Sequence, residues 1–361
     1  MTPDLLRLRL SNQRLARAAF RKPEDVVAWF GAVQAQDYLG ALWGIGQRTR
    51  QATEADVEAA EARRAIVRTW PMRGTLHFVA AADARWLTRL LAPRVIARNA
   101  ARWWRDFGVD DALLVRADAA VTRALEGGKR LPREQIYAAL ESGRIRTGAS
   151  RGLHLLLCLA MRGRLCLAGR LGKQHSFALL DEWIPESESF ERDAALAALA
   201  TRYFTSHGPA SLRDLAWWAG ITVTDARIAV DGAQRHLARE SIGGETYWRG
   251  TKQRARPGNT VAARVRLLPG YDEFTVGYAD RALLLESGSR LKARGMGLLS
   301  PVVLVDGRVV GTWKRAIAGR NVRIDTRLAR RLSGAESGAL RDAVADYGRF
   351  LGLEAHWSSR R

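Results

Sequence analysis

Two glutamines one residue apart, Gln34 and Gln36 in the run VQAQDY (33–38), are the first side chains in this sequence whose type and spacing could do chemistry. A primary amide is a poor base, but it can orient a water molecule and aim its carbonyl dipole at developing positive charge. That is useful only if both amides reach one point. On a regular helix, residues i and i+2 point roughly 200° apart, at ~100° per residue. The pair therefore converges only where a helix has ended or the chain is extended. Asp37 and Gly40 supply reasons for a break, with Asp37 as the cap of a following helix, ALWGIGQR. Asp37 is also a candidate helper to the amides, with capping as its competing role. For the glutamines themselves the competing account is an ordinary surface pair at a helix end.

Three further groups deserve the same test. In RTWPMRGTLHFV (68–79), two β-prone runs, Ile66–Trp70 and Thr75–Val79, flank the turn signal Pro71-Met72-Arg73-Gly74. This predicts a hairpin with Arg73 at or near its tip, where a wing entering a DNA minor groove needs a cation, and with Arg68 as a further DNA contact. His77 on the returning strand is a second candidate helper, against the reading of a hydrogen-bonded structural histidine. In LLPGYDEFTVGYADR (267–281), Asp272 and Glu273 fall at a strand-to-helix transition, where N-capping suits both. Finally, Arg249, Lys252, Arg254 and Arg256 lie in a stretch with no acid between Glu245 and Asp272. Together with Lys314, Arg315, Arg320 and Arg323, they suit phosphate contacts.

Other chemistries lack their signatures. There is no phosphate-binding glycine loop, no GxSxG elbow, no HExxH and no lysine in an apolar setting. The six histidines are scattered and the two cysteines, Cys158 and Cys166, form no CxxC, so neither a metal nor another cofactor is expected. Two lone thiols in apolar surroundings fit a reducing compartment. The start, MTPDLLRLRLSNQRL, has no apolar signal core, and no apolar run approaches ~20 residues. The expectation is a cytoplasmic or nucleoid-associated protein with no membrane segment.

The elements that must hold these residues form a repeated order of helices followed by a short hairpin. A helix over 23–36 and another over 53–64 precede the 66–79 hairpin. After a helical stretch (81–127), helices over 131–143 and 149–163 precede paired strands in RLCLAGR and KQHSFALL. Helices over 190–208, 211–220 and 222–237 precede strands meeting at Gly243-Gly244, and SLRDLAWWAGI-TVTDARIAV has helix-turn-helix grammar. From about residue 250 the texture turns to short strands, closed by an amphipathic helix over 333–352. The fold class predicted is α+β, with three tandem winged-helix modules (1–127, 128–187 and 188–250) and a C-terminal small β-barrel with its terminal helix (251–361).

Composition agrees. The 361 residues suffice for ~2–3 domains, and 47% are hydrophobic. With 58 Lys+Arg against 37 Asp+Glu the formal charge is +21, which draws polyanions, nucleic acid first among them. Only six of the basic residues are Lys, a bias that a GC-rich genome would also produce.

VQAQDYLGALWG, RTWPMRGTLHFV, LLPGYDEFTVGYADR and PVVLVDGRVVGTWKR, in this order, resemble the AlkZ/YcaQ-like family of winged-helix DNA glycosylases. The resemblance spans nearly the whole chain and implies three winged helices plus a β-barrel around a DNA-sized channel. It matches the family's Gln-apolar-Gln motif to Gln34-Ala35-Gln36, as in the AlkZ-like branch. It implies a monofunctional glycosylase that removes N7-alkylated purines from double-stranded DNA and unhooks interstrand crosslinks, with Gln34 and Gln36 as the catalytic pair. A non-catalytic DNA-binding protein, regulator or architectural factor, is the alternative. Three unlike modules without a dimerisation heptad point to a monomer.

Overall fold

The computed structural model describes residues 2–184, 189–252, 264–285 and 299–360. Within them the strands are β1 (Val33–Gln34), β2 (Ile66–Met72), β3 (Thr75–Ala80), β4 (Leu131–Pro132), β5 (Leu165–Leu171), β6 (Gln174–Leu179), β7 (Leu237–Ile242), β8 (Glu245–Gly250), β9 (Val265–Leu268), β10 (Val302–Val305), β11 (Arg308–Ala318), β12 (Asn321–Leu328) and β13 (Glu354–Arg360). The helix-then-hairpin order holds three times, ending in β2–β3, β5–β6 and β7–β8.

Helix Thr2–Asn12 opens the chain, and the helix before the glutamines is shorter than its pattern predicts. It covers Pro23–Phe30 rather than 23–36, and Gly31, at φ 81°, ends it by donating its N–H to Val27 O. The apolar spacing of VVAWF does form a helix, but a left-handed residue cannot continue it. The chain then runs extended into β1, which pairs antiparallel with β3, Val33 opposite Phe78 and Gln34 opposite His77. The helical stretch 81–127 is two helices, Ala84–Phe107 and Asp111–Leu125, broken at a left-handed Gly108.

The first two hairpins are joined. Arg68 of β2 pairs with Leu167 of β5, which joins the first two hairpins into one six-stranded sheet of order β1-β3-β2-β5-β6-β4. The third hairpin stands alone as β7-β8. The C-terminal strands form a five-stranded sheet, β13-β12-β11-β10-β9, whose last strand runs parallel to β12. Among the described residues β9 and β13 do not pair, so the ladder is open where a closed barrel was expected. Helix Gly334–Leu351 packs against both of these strands instead.

The cores cross the predicted boundaries. Val26, Val27, Phe30 and Trp43 of the first unit share a core with Val265, Val303, Trp313 and Tyr347 of the last. Tyr278 joins a core built mostly from the first and third units. No helix is long and apolar enough to cross a membrane among the described residues.

A tight seam lies between helices Tyr38–Gly46 and Gly334–Leu351. A Cβ placed on Gly46 would lie 2.3 Å from Phe350 Cε2, closer than any side-chain adjustment tolerates without moving the ring. Gly46→Ala should therefore cost about 1–3 kcal/mol by overpacking. Phe350→Ala alone should cost about 3–5 kcal/mol. The double variant should be less destabilised than the sum, because the cavity accepts the methyl. Urea denaturation of the three variants checks this, and strict additivity would show that the two residues do not share the seam.

Candidate active site

Extension of the chain decides the geometry of the glutamine pair. Val33 and Gln34 form the strand, Ala35 is fully buried directly after it, and Gln36 stands just beyond the strand end. The segment is fastened through the backbone of Gln34 and Ala35. Gln34 N–H donates to Glu273 Oε1 at 2.8 Å. Ala35 N–H donates to Leu76 O at 2.8 Å. Ala35 O accepts from Arg68 Nε and Nη2 at 3.0 and 2.8 Å. The side chains are held too: Gln34 Oε1 accepts from Arg73 Nη2 at 3.1 Å, and Gln36 Oε1 from Leu76 N–H at 3.2 Å. Gln34 is buried and Gln36 exposed, so the pair leads from the interior to the surface.

Glu273 does not cap a helix. Its carboxylate is buried, 1% exposed, beneath β1. Besides Gln34 N–H, it accepts from Trp218 Nε1 at 2.8 Å and from His207 Nε2 at 3.3 Å. Burial opposes its charge, yet the hydrogen bonds from His207 and the Gln34 N–H outweigh it and hold the carboxyl down at about 2. Asp272 does cap, accepting from Phe274 N–H, and it also takes Arg48 side-on, Nη1 to Oδ2 at 2.8 Å and Nη2 to Oδ1 at 2.7 Å. That pair ties the segment carrying Glu273 to the helix that follows the glutamines. Sequence reasoning singled out Glu273 only as a cap. The signal for more was an adjacent acid pair inside the apolar context of LLPGYDEFTV.

Arg73 is at the hairpin turn as expected, with Arg73 at φ 55° and Gly74 at φ 71°. Its side chain corrects the reading of a groove-entering cation. It folds inward, donating to Trp218 O and to Gln34 Oε1, with His77 Nε2 at 3.3 Å. A left-handed non-glycine residue at such a place is strain held by its surroundings. Arg68 is likewise buried, 4% exposed, and spends its donors on Ala35 O, so it fastens the motif and does not reach a phosphate. Burial pushes its guanidinium down to about 10, against the pull of Glu61, and it stays charged. An arginine within the otherwise apolar run IVRTWPM was the available signal.

His77 is fully buried, with Nδ1–H donating to Thr75 O at 2.9 Å and Nε2 accepting from Arg73. Burial, with the Arg73 cation beside it, pushes the imidazole down to about 3, so it is neutral and its one N–H is spent on Thr75 O. The structural reading of His77 replaces the helper reading. Asp37 is exposed and accepts from Gly40 N–H at 3.2 Å, as the cap of helix Tyr38–Gly46. It also lines a cavity of about 260 Å³ with Trp43, Trp313, Lys314 and Arg315. Lys314 is exposed there, whereas Arg315 donates to Tyr347 Oη. Of the remaining expected DNA contacts, Lys252 is exposed, Arg249 lies 3.5 Å from Glu240, and Arg254 and Arg256 lie outside the described residues.

A family model of DNA glycosylases covers residues 27–350, so the chain is an enzyme that acts on DNA. The family is that of the AlkZ-like DNA glycosylases, and the chain belongs to it. Among curated proteins it is 26% identical over 325 residues, 85% of each chain, to an interstrand DNA cross-link repair glycosylase of Streptomyces sahachiroi. Among solved structures it resembles the DNA glycosylase AlkZ of the same organism, with a TM-score of 0.78 and 23% identity over 99% of each chain.

The charge on Glu273 has a measurable consequence. Its folded value of about 2 lies below an unfolded value near ~4.3. Its contribution to stability is therefore complete above the unfolded value and is lost as pH falls toward 2. Glu273→Gln places an NH2 among donors and should cost about 1–3 kcal/mol at pH 7. The stability gap between wild type and variant, from urea denaturation, should narrow as pH falls from 5 to 3. A gap that stays constant over that range would show that the carboxylate is not held ionised.

Proposed function

We propose that the protein is a monofunctional DNA glycosylase that hydrolyses the N-glycosidic bond of N7-alkylated purines, those tied into interstrand crosslinks included. Gln34 and Gln36 are the catalytic pair. The observation that carries this reading is the immobilised Gln34-Ala35-Gln36 segment, in which the oxygen of each neutral amide is held by an N–H donor. The nearest carboxylate beneath it, Glu273, has its oxygens engaged by three donors and is sealed from solvent.

Such a site suits a leaving group that needs no help to leave. A purine alkylated at N7 carries a positive charge and departs neutral, so no strong acid is required. What must be supported is a cationic sugar and a placed water. Each amide oxygen already accepts one N–H, so both amides are held in a fixed orientation. Rate then comes from positioning and fixed dipoles, not from proton abstraction. The family match supports glycosylase chemistry, and the curated relative named for crosslink repair supports the crosslink as substrate.

We read the three helix-and-hairpin units as winged helices and the chain as a monomer on duplex DNA. Its surface offers phosphate contacts near the site. Helix Ala84–Phe107 turns Arg94, Arg98 and Arg102 to solvent at four-residue spacing. It packs Val95 beside Gly74 at the hairpin turn. Lys314 lies across from Asp37. For Lys314→Ala, DNA affinity should weaken for every sequence alike, with the slope of log affinity against log salt reduced by about 1. An unaltered slope would remove Lys314 from the interface.

The decisive assay is base release from a duplex with one 7-methylguanine, scored as strand scission after alkali, and repeated on a crosslinked duplex. Gln34→Ala and Gln36→Ala should each lose about 10²–10³ in single-turnover rate while still binding DNA. Equal activity in all three proteins would displace the site. Tight binding without release from either substrate would favour a non-catalytic DNA-binding protein.

A further inference from the structure

A guanidinium has five donors and no acceptor. Wherever Arg73 meets the side chain of Gln34, it must therefore meet the oxygen. It does so at 3.1 Å, with its other terminal nitrogen donating to Trp218 O. The Trp218 indole in turn donates to Glu273 Oε2, and Glu273 Oε1 accepts from Gln34 N–H. Four chain segments thus close a ring of hydrogen bonds: β1, the β2–β3 turn, helix Leu212–Ala219 and the start of the Glu273–Val276 helix. Every direction in this ring is set by chemistry, because each donor group in it lacks an acceptor of its own. The orientation of Gln34 is a consequence of the ring rather than a free choice of the amide.

From this ring we infer that Arg73 is the positioning residue for Gln34, turning the amide oxygen inward so that Gln34 meets the nucleotide through Nε2, as a hydrogen-bond donor to an oxygen or nitrogen acceptor of the residue being cleaved. The inference rests on the glycosylase reading above and adds to it the polarity of the contact. The Leu76 N–H orients Gln36 in the same sense, oxygen inward at 3.2 Å. The pair then offers two amide N–H donors on its substrate side, which suit the electron-rich edge of a nucleotide and not the cationic face of the lesion. Arg73 stands at a left-handed φ of 55°, and its side chain reaches Gln34 from there.

Gln34→Glu tests the polarity without disturbing the shape. The carboxylate is isosteric, keeps an acceptor for Arg73 and is a stronger base than the amide, but has no N–H. If Nε2 is the working end, Gln34→Glu should lose about 10² in single-turnover rate on the 7-methylguanine duplex, with DNA affinity and melting midpoint near those of wild type. If it equals or exceeds wild type, Gln34 works as an acceptor and the inference is overturned.

Arg73 is tested by a double-mutant cycle in the same assay. Arg73→Ala should slow single turnover about 10-fold or more alone, and add no further loss in the Gln34→Ala background, because it acts through Gln34. Additive losses would make Arg73 a merely structural residue. Arg73→Lys, which keeps one donor and the charge, should recover part of the rate. Wild type that releases no base at all would instead overturn the glycosylase reading itself, an outcome distinct from either of the others.

Discussion

The carboxylate of Glu273 is taken wholly out of water and kept charged, and the rest of the site is arranged around that constraint. An unpaired buried charge costs several kcal/mol, so its oxygens must be met by donors of good geometry. Here the donors come from three distant places: the backbone of β1, the indole of Trp218 and the imidazole of His207. Satisfying one carboxylate therefore fixes the mutual position of the first unit, the third unit and the C-terminal segment. The Arg48–Asp272 pair, buried on both sides, anchors the same segment from the other direction.

Against this anion stands a cation of opposite role. Glu273 takes the N–H of Gln34, while Arg68 gives two hydrogen bonds to the carbonyl of Ala35. The strand is thus gripped by a negative group at its donor and a positive group at its acceptor. Charge-assisted bonds of this kind are shorter and stronger than neutral ones. They fix the register of the strand at Gln34 and Ala35. The fusion of the first two hairpins at Arg68 and Leu167 serves the same end, since it sets the β strand carrying Arg68 in the middle of a sheet rather than at an edge.

The chemistry proposed for the site follows from what this rigidity permits. Amides are weak bases, so they help only where placement matters more than proton transfer. A base that already carries positive charge presents such a case. The ionisable groups of the interior are committed elsewhere: Glu273 to structure, His77 neutral and doubly bonded, Arg73 to the amide of Gln34.

By itself the sequence determined the local elements and the identity of the motif. The β-prone runs and turn residues of 66–79 specify a hairpin, the capped helices of 211–237 form where their Ser and Thr caps stand, and Gln34-Ala35-Gln36 announces the pair. These features depend on contacts within a few residues, which spacing and residue type record. Where the helix before the motif would stop was open in the sequence, because VVAWFGAVQAQ fits a helix throughout and only Gly31 at a positive φ ends it. The inward turn of Arg73, the burial of Arg68, the use of Glu273 as an anchor and the joining of two hairpins into one sheet were decided by tertiary structure alone. Each depends on partners roughly 30 to 240 positions away along the chain. An arginine reads the same in sequence whether it will face a phosphate or a carbonyl, and the free energy of burying its charge is settled only by what the fold brings against it.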